Sequence, residues 1–266
     1  MDLIRYIFLG IIQGFTEPIP VSSSGHLIIF REILQLEFLY DLNFEIIVNF
    51  GSFVAIAYFY RKDIMEIFND FFLYIKTKKK DYKDNFNYGL LIIIATIPTA
   101  IAGFLFKNSI ESISNPKTVG VALLMTAGLL YIIRKSKGKK SEKKITIKDA
   151  LIIGLYQVLS LIPGVSRSGA TIVGGMFRDL KRDTAFKFSF MLYLPVSIAA
   201  MILGVHDFLK TPEIEHLILP YIFGMIVAGI VTYYSLIWFR NIVLKGKLIY
   251  FVYYCLGVGL ISLLFL

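Results

Sequence analysis

Two polar segments interrupt otherwise apolar stretches of this chain, and their residue types suit work on a phosphate group. The first runs Gln13-Gly14-Phe15-Thr16-Glu17-Pro18-Ile19-Pro20-Val21-Ser22-Ser23-Ser24-Gly25-His26, the second Pro163-Gly164-Val165-Ser166-Arg167-Ser168-Gly169-Ala170-Thr171. Together they hold a carboxylate, a histidine, an arginine and seven hydroxyl groups. Ionisable side chains at membrane depth are rare and mark function by default. Gln13 and Glu17 are four apart and share a helix face, just before a proline break. Ser22 is placed to cap a second short helix by accepting its orphan amides. Ser23 and His26, three apart, fall on one face; with a nearby carboxylate they have the parts of an activated nucleophile. Arg167, between Ser166 and Ser168 and followed by Gly169 and Thr171, suits an anion through charge-assisted bonds at a helix start. An isolated arginine at the bilayer centre costs about 3 kcal/mol on insertion scales, which an anionic partner offsets.

Each residue also has a plainer reading. Ser and Thr often bond their own helix or a neighbouring one. His26 could be an interior hydrogen-bonded histidine, Gln13 helix-packing glue, and Glu17 with Arg167 a structural ion pair. It is the concentration of these groups at two breaks that argues for a site. Glu45, Asn49 and Ser52 form a stripe that either joins the site or lies at the interface. His206, Asp207 and His216 read as a solvated outer loop.

These segments must be positioned by membrane helices. The chain has 266 residues, 56% of them hydrophobic and only 18% charged, and its mean hydropathy is +0.69. Several stretches approach the roughly 20 apolar residues that cross a bilayer. The expectation is an all-α polytopic protein of one membrane domain, without a separate soluble domain. The net charge of +9 is not a nucleic-acid signature, because the Lys and Arg residues cluster in loops beside apolar spans. Cys255 is the only cysteine, so no internal disulfide or zinc site is expected. The start of the chain lacks the basic region of a cleaved signal, and its apolar run passes directly into Gln13 and Glu17.

Simple spans are predicted at about 44–60, 88–106, 118–133, 186–204, 218–239 and 249–266, with polar loops near 61–87 and 134–149. Positive charge is dense in those two loops, at Arg178–Lys187 and at Arg240–Lys247, so these four clusters are expected in the cytoplasm. The apolar segment between Lys148 and Lys181 must then return to the side it left. It is predicted to be a re-entrant hairpin with a break at Pro163-Gly164, tolerated at depth only beside protein or a polar cavity. Residues 1–35, broken at Pro18-Ile19-Pro20, are predicted to form a second hairpin entering from the outer side. Each half, about 1–135 and 148–266, then reads as a re-entrant hairpin plus three transmembrane helices in inverted topology, with both tips near the midplane.

The motifs from Glu17 to His26 and from Pro163 to Thr171 together resemble the undecaprenyl-diphosphate phosphatase, or bacitracin resistance, family over the whole chain. The resemblance implies a plasma-membrane enzyme that removes the terminal phosphate of undecaprenyl diphosphate and recycles the lipid carrier for cell-wall synthesis. The family's Glu/Gln and Glu fall on Gln13 and Glu17, its Ser-Ser-Ser/Thr-Gly-His on Ser22 to His26, and its Ser-Arg-Ser on Ser166 to Ser168. Gln13 stands where many members carry a carboxylate, which leaves Glu17 as the acid of that pair. The expected mechanism has Ser23 attack phosphorus, with His26 and Glu17 handling the proton. Arg167, Ser166, Ser168 and Thr171, with Ser22 and Ser24, hold phosphate oxygens. Gly25, Gly164 and Gly169 support the tips. Mg²⁺ or Ca²⁺ would bridge the diphosphate and Glu17. Glu17 acting as base for direct water attack, with Ser23 only a ligand, stays open. So does a flippase for polyprenyl phosphate, since inverted repeats with a midplane site also describe transporters. The partners expected are the polyprenyl diphosphate and the bilayer; a homodimer is compatible with the sequence. The site is expected to open to the outer face.

Overall fold

The computed structural model describes residues 2–35, 42–208 and 217–266. Eleven α-helices carry the described chain: α1 Asp2–Thr16, α2 Ser23–Ile33, α3 Leu42–Phe59, α4 Arg61–Thr77, α5 Lys83–Ser112, α6 Pro116–Ile133, α7 Ile147–Leu159, α8 Arg167–Phe177, α9 Arg182–Phe208, α10 Ile218–Leu244 and α11 Ile249–Phe265. No strand forms among the described residues; Lys140 and Leu180 make an isolated bridge. Helices α5, α6, α9 and α10 are long and apolar enough to cross a membrane, and α1, α3 and α11 are shorter apolar helices. This is a multi-pass membrane architecture, because helices satisfy every internal backbone group where no water can. All six predicted simple spans are helical. His206 and Asp207 fall in the last turn of α9, and His216 lies outside the described residues.

The stretch predicted as a polar loop at 61–87 differs most from expectation. Residues Arg61–Thr77 form α4, which buries none of its residues. Its apolar residues Met65, Phe68 and Phe72 are exposed, while Ile64 and Ile67 lean on the core. Charges spaced through the segment hide an amphipathic helix from a reading based on span hydropathy.

Two short helical hairpins, α1–α2 and α7–α8, pack against the longer helices. The prolines at 18 and 20 end α1, and the chain restarts at Ser22, whose backbone takes a φ of 69° and whose hydroxyl accepts from the Gly25 amide. The second hairpin turns through Gly164 at a φ of 96° and restarts at Ser166, which caps α8 at the Gly169 amide. Small residues allow the first arms to sit against long helices. A Cβ at Gly10 or Gly14 of α1 would strike the backbone of Gly224 or Ala228 in α10, and one at Gly154 of α7 would strike Ala95 in α5.

The main core runs through α5, α6, α9, α10 and α11, with Phe186, Phe188 and Phe239 fully buried. A second cluster joins α1, α3 and α10 through Tyr6, Phe44 and Tyr221, whose rings meet at 5.0–5.5 Å. All four Lys/Arg clusters meet at one end of the bundle. Lys143 pairs with Asp84, Lys187 with Asp63 and Glu142, and Arg240 with Asp183. At the base of the second hairpin, the buried Asp149 carboxylate accepts from Lys140, Arg178 and Thr146.

Candidate active site

The two hairpin tips touch. Ser168 donates to the Ile19 carbonyl at 3.3 Å. The space where Gly169 would carry a Cβ abuts Pro20, and that of Gly25 abuts Gly164. The tips also follow one template. Residues Gln13–Gly25 lie onto Gln157–Gly169 without a gap, and Gln13/Gln157, Val21/Val165, Ser22/Ser166, Ser24/Ser168 and Gly25/Gly169 are identical pairs. Ser22 and Ser166 make the same cap, and Ser22–Ser24 and Ser166–Ser168 lie hydroxyl to hydroxyl at 3.4 and 3.2 Å.

Between the tips lies a cleft of about 170 Å³, with Glu17, Ser22, Ser23, Ser24, Ser166 and Arg167 on its walls. Glu17 is its centre. One carboxylate oxygen pairs with Arg167 Nη2; the other accepts from Ser23 Oγ and, at 2.9 Å, from Gln13 Nε2. The Glu17 side chain is 5% exposed and that of Arg167 22%, so their attraction is little screened by water. The guanidinium is oriented from below. Its carbon sits 3.9 Å over the Tyr193 ring, and Nη1 donates to Ser197 at 3.1 Å. Tyr193 is held in turn by a 2.8 Å bond to Asn49 Oδ1. Two of the five guanidinium N–H groups are thereby engaged, and the others can serve an anion.

His26 is placed differently. It is buried at 3% exposure, its Nδ1 lies 2.7 Å from the Ser22 carbonyl, and its Nε2 lies 2.7 Å from the Tyr254 hydroxyl of α11. Both nitrogens are occupied away from Ser23, and His26 does not line the cleft. Ser168 and Thr171 also point elsewhere: Ser168 to Ile19, Thr171 to its own helix and to Ser189 of α9. Among the hydroxyls named from sequence, Ser22, Ser23, Ser24 and Ser166 face the cleft.

Other helices complete the walls. Glu45 and Asn49 enter from α3, Thr99 from α5, Ser160 from the end of α7 and Val196 from α9. Thr99 and Val196 each follow an in-helix proline, Pro98 and Pro195, where a helix has lost a backbone bond. Behind Thr99, Gln157 donates to its hydroxyl at 3.1 Å. Tyr193, Ser197, Thr99, Ser160 and Tyr254 were not named from sequence. The one signal for them was a polar group inside a predicted span or beside a hairpin break.

The cleft suits a hard divalent cation in donor chemistry. Its walls offer the carboxylates of Glu17 and Glu45 and the amide of Gln13, all oxygen donors. Gln13 Oε1 is buried without a hydrogen-bond partner. Among the described residues no three His, Cys, Asp or Glu side chains group closely enough to hold an ion unaided, so ligands from a bound phosphate would be needed.

The family described as Bacitracin resistance protein BacA matches residues 6–261. Undecaprenyl-diphosphatase 2 of Bacillus thuringiensis (strain Al Hakam) is 44% identical over 265 residues, 99% of this chain and 98% of the relative. Undecaprenyl-diphosphatase 1 of Bacillus licheniformis matches at 44% over 265 residues, with the same coverage of both chains. Undecaprenyl-diphosphatase of Oceanobacillus iheyensis matches at 43% over 267 residues, 99% of this chain and 97% of its own. With similarity of this degree from end to end, and the paired tips intact, the chain belongs to the bacitracin resistance protein BacA family.

Proposed function

We propose that this protein hydrolyses undecaprenyl diphosphate to undecaprenyl phosphate and inorganic phosphate, with Ser23 as nucleophile, Glu17 as base and Arg167 as the phosphate clamp. The observation that carries the reading is the shared carboxylate: Ser23 and Arg167 sit on the two oxygens of Glu17. A hydroxyl bonded to a buried carboxylate can lose its proton as it attacks. Ser23 Oγ forms a bond to the terminal phosphorus while Glu17 takes the proton. The bond from that phosphorus to the bridging oxygen breaks, and undecaprenyl phosphate leaves with the electron pair. Water then attacks the phosphoserine; the phosphorus–Oγ bond breaks, Glu17 returns the proton it took to Ser23 Oγ, and the water's oxygen and hydrogens leave with inorganic phosphate. Arg167 turns its remaining N–H groups to the phosphoryl oxygens, whose charge builds in the transition state. Ser22, Ser24 and Ser166 supply hydroxyls around the same oxygens. Ser168 and Thr171 fix the tip of α8, and His26 positions the tip of α2 through the Ser22 carbonyl and Tyr254. A divalent cation such as Mg²⁺ or Ca²⁺, held at Glu17, would neutralise diphosphate charge.

Each hairpin's first arm packs on a span of the other half, α1 on α10 and α7 on α5, and α6 pairs with α11, as two inverted repeats of hairpin plus three spans would. The Lys/Arg-rich end is then cytoplasmic, and the cleft opens to the outer face with the first hairpin. A flippase needs the anion site but no hydroxyl held by a carboxylate, so the Ser23–Glu17 bond favours hydrolysis.

The test is phosphate release from undecaprenyl diphosphate by purified protein in detergent. Arg167→Ala is expected to lower kcat/KM by about 10²–10³, the usual cost of a lost transition-state donor. Ser23→Ala should fall at least as far. If Ser23→Ala keeps turnover within about tenfold while Glu17→Gln is inactive, Glu17 instead activates water directly.

A further inference from the structure

We propose that Glu45 is the second carboxylate of the site, and that with Glu17 and Gln13 Oε1 it forms a place for a divalent cation that enters with the diphosphate. The inference rests on the phosphatase reading above.

Glu45 lies in the first turn of α3, outside both tips, and lines the same cleft as Glu17. The two carboxylates are in different circumstances. Glu17 is neutralised by Arg167 and accepts bonds from Ser23 and Gln13. Glu45 has no hydrogen bond or ion pair among the described residues, and the charges it feels are those of Glu17 and Arg31. A diphosphate carries several negative charges. Placed beside an unpaired carboxylate in a partly enclosed cleft, it would be repelled. A cation between the two removes the conflict.

Gln13 supplies independent support. Its side chain is buried at 1% exposure, and its orientation follows from the 2.9 Å bond that Nε2 donates to Glu17. That leaves Oε1 as the acceptor, and Oε1 has no partner. A buried amide oxygen without a donor is costly, and a metal ligand is one way to satisfy it. Asn49, one turn beyond Glu45, also lines the cleft, and its Oδ1 is committed to Tyr193. Two carboxylates, one amide oxygen, phosphate oxygens and water make the set that Mg²⁺ prefers and Ca²⁺ accepts.

Mn²⁺ serves as the probe, since its unbound form is counted directly by electron paramagnetic resonance. Purified wild type in detergent, with inorganic phosphate present to complete the ligand set, is expected to bind Mn²⁺, and Glu45→Gln to bind it at least tenfold more weakly. Gln13→Glu on the Glu45→Gln background should restore binding, because it returns a carboxylate to the same cleft. Glu45→Asp, which keeps the charge but draws it back by one methylene, should fall between and covers the case in which Glu45→Gln does not fold. Unchanged Mn²⁺ affinity in both Glu45 variants, or no binding by wild type, overturns the proposal. Phosphate release on the same preparations separates the two readings. Release by wild type with Mn²⁺ binding indifferent to Glu45 sinks this inference and leaves the phosphatase standing. Absence of release at every Mn²⁺, Mg²⁺ and Ca²⁺ concentration sinks the phosphatase, and this inference with it.

Discussion

The two hairpins share one scaffold but carry different polar groups to the cleft. Both have a glutamine one turn or more before the break, a serine cap and a glycine three residues after it. Where they differ, the chemistry differs: Glu17 faces Leu161, Ser23 faces Arg167 and His26 faces Ala170 in the alignment. The first tip brings a carboxylate and a hydroxyl to the cleft, the second a fixed positive charge. A buried carboxylate and a buried guanidinium are each expensive alone in an apolar bundle. Splitting them between facing tips lets each offset the other, and aims both at one point.

The largest expected effect comes from prising the tips apart. Gly164→Ala would put a Cβ 2.7 Å from the Val119 Cα at a φ of 96°, a cost on the order of 4 kcal/mol from strain and overlap together. Gly25→Ala meets its first neighbour, a Val119 methyl, at 3.0 Å, and should cost about 1 kcal/mol. Thermal unfolding of the two purified variants measures the contrast; equal losses would mean that the tips are equally tight.

Next in size is the mooring of the second hairpin at its base. Burial pushes the Asp149 carboxyl up, but bonds from Lys140, Thr146 and Arg178 outweigh it and hold the group down to about 2, against 3.8 when unperturbed. A depressed folded value contributes stability that is full above the unfolded value and is lost as pH falls through the folded one. The contribution should therefore be intact above about pH 4 and fade toward pH 2. Asp149→Asn should cost about 2 kcal/mol at neutral pH and flatten the acid limb of an unfolding-against-pH curve. Identical acid limbs would remove Asp149 from the account.

Smaller still is the platform under the cation. Tyr193→Leu removes the ring beneath Arg167 and should lower kcat/KM about tenfold, on the scale of a desolvated cation–π contact. Tyr193→Phe keeps the ring, loses the bond to Asn49 and should stay within about threefold. If Phe is as damaging as Leu, the hydroxyl rather than the ring sets the guanidinium.

The smallest effect tests the residue that sequence placed closest to the nucleophile. With His26 as a positioning residue, His26→Gln and Tyr254→Phe should each lower kcat by about threefold and leave the pH–rate profile unchanged. A general base would cost about 10²–10⁴ and take a limb of the profile with it.

Much of this was legible in one dimension. Span positions follow from hydropathy, the breaks from Pro18, Pro20 and Gly164, and the caps at Ser22 and Ser166 from residue type. The family is written in the two motifs. Helix α4 was hidden, because an amphipathic surface helix has neither a span's hydropathy nor a loop's turn residues. The roles within the motifs were also hidden. A spacing of three says that Ser23 and His26 can share a face, yet His26 is claimed by Ser22 and by Tyr254, far along the chain.

The sequence by itself determined which residues are costly to bury and where helices must stop, because burial cost and backbone freedom belong to each residue type. Only the tertiary structure decided which of those residues meet. Partners such as Arg167 with Glu17, Tyr193 with Arg167, and Glu45 in the same cleft lie on separate helices, and packing across the bundle, not spacing along the chain, brings them to one cleft.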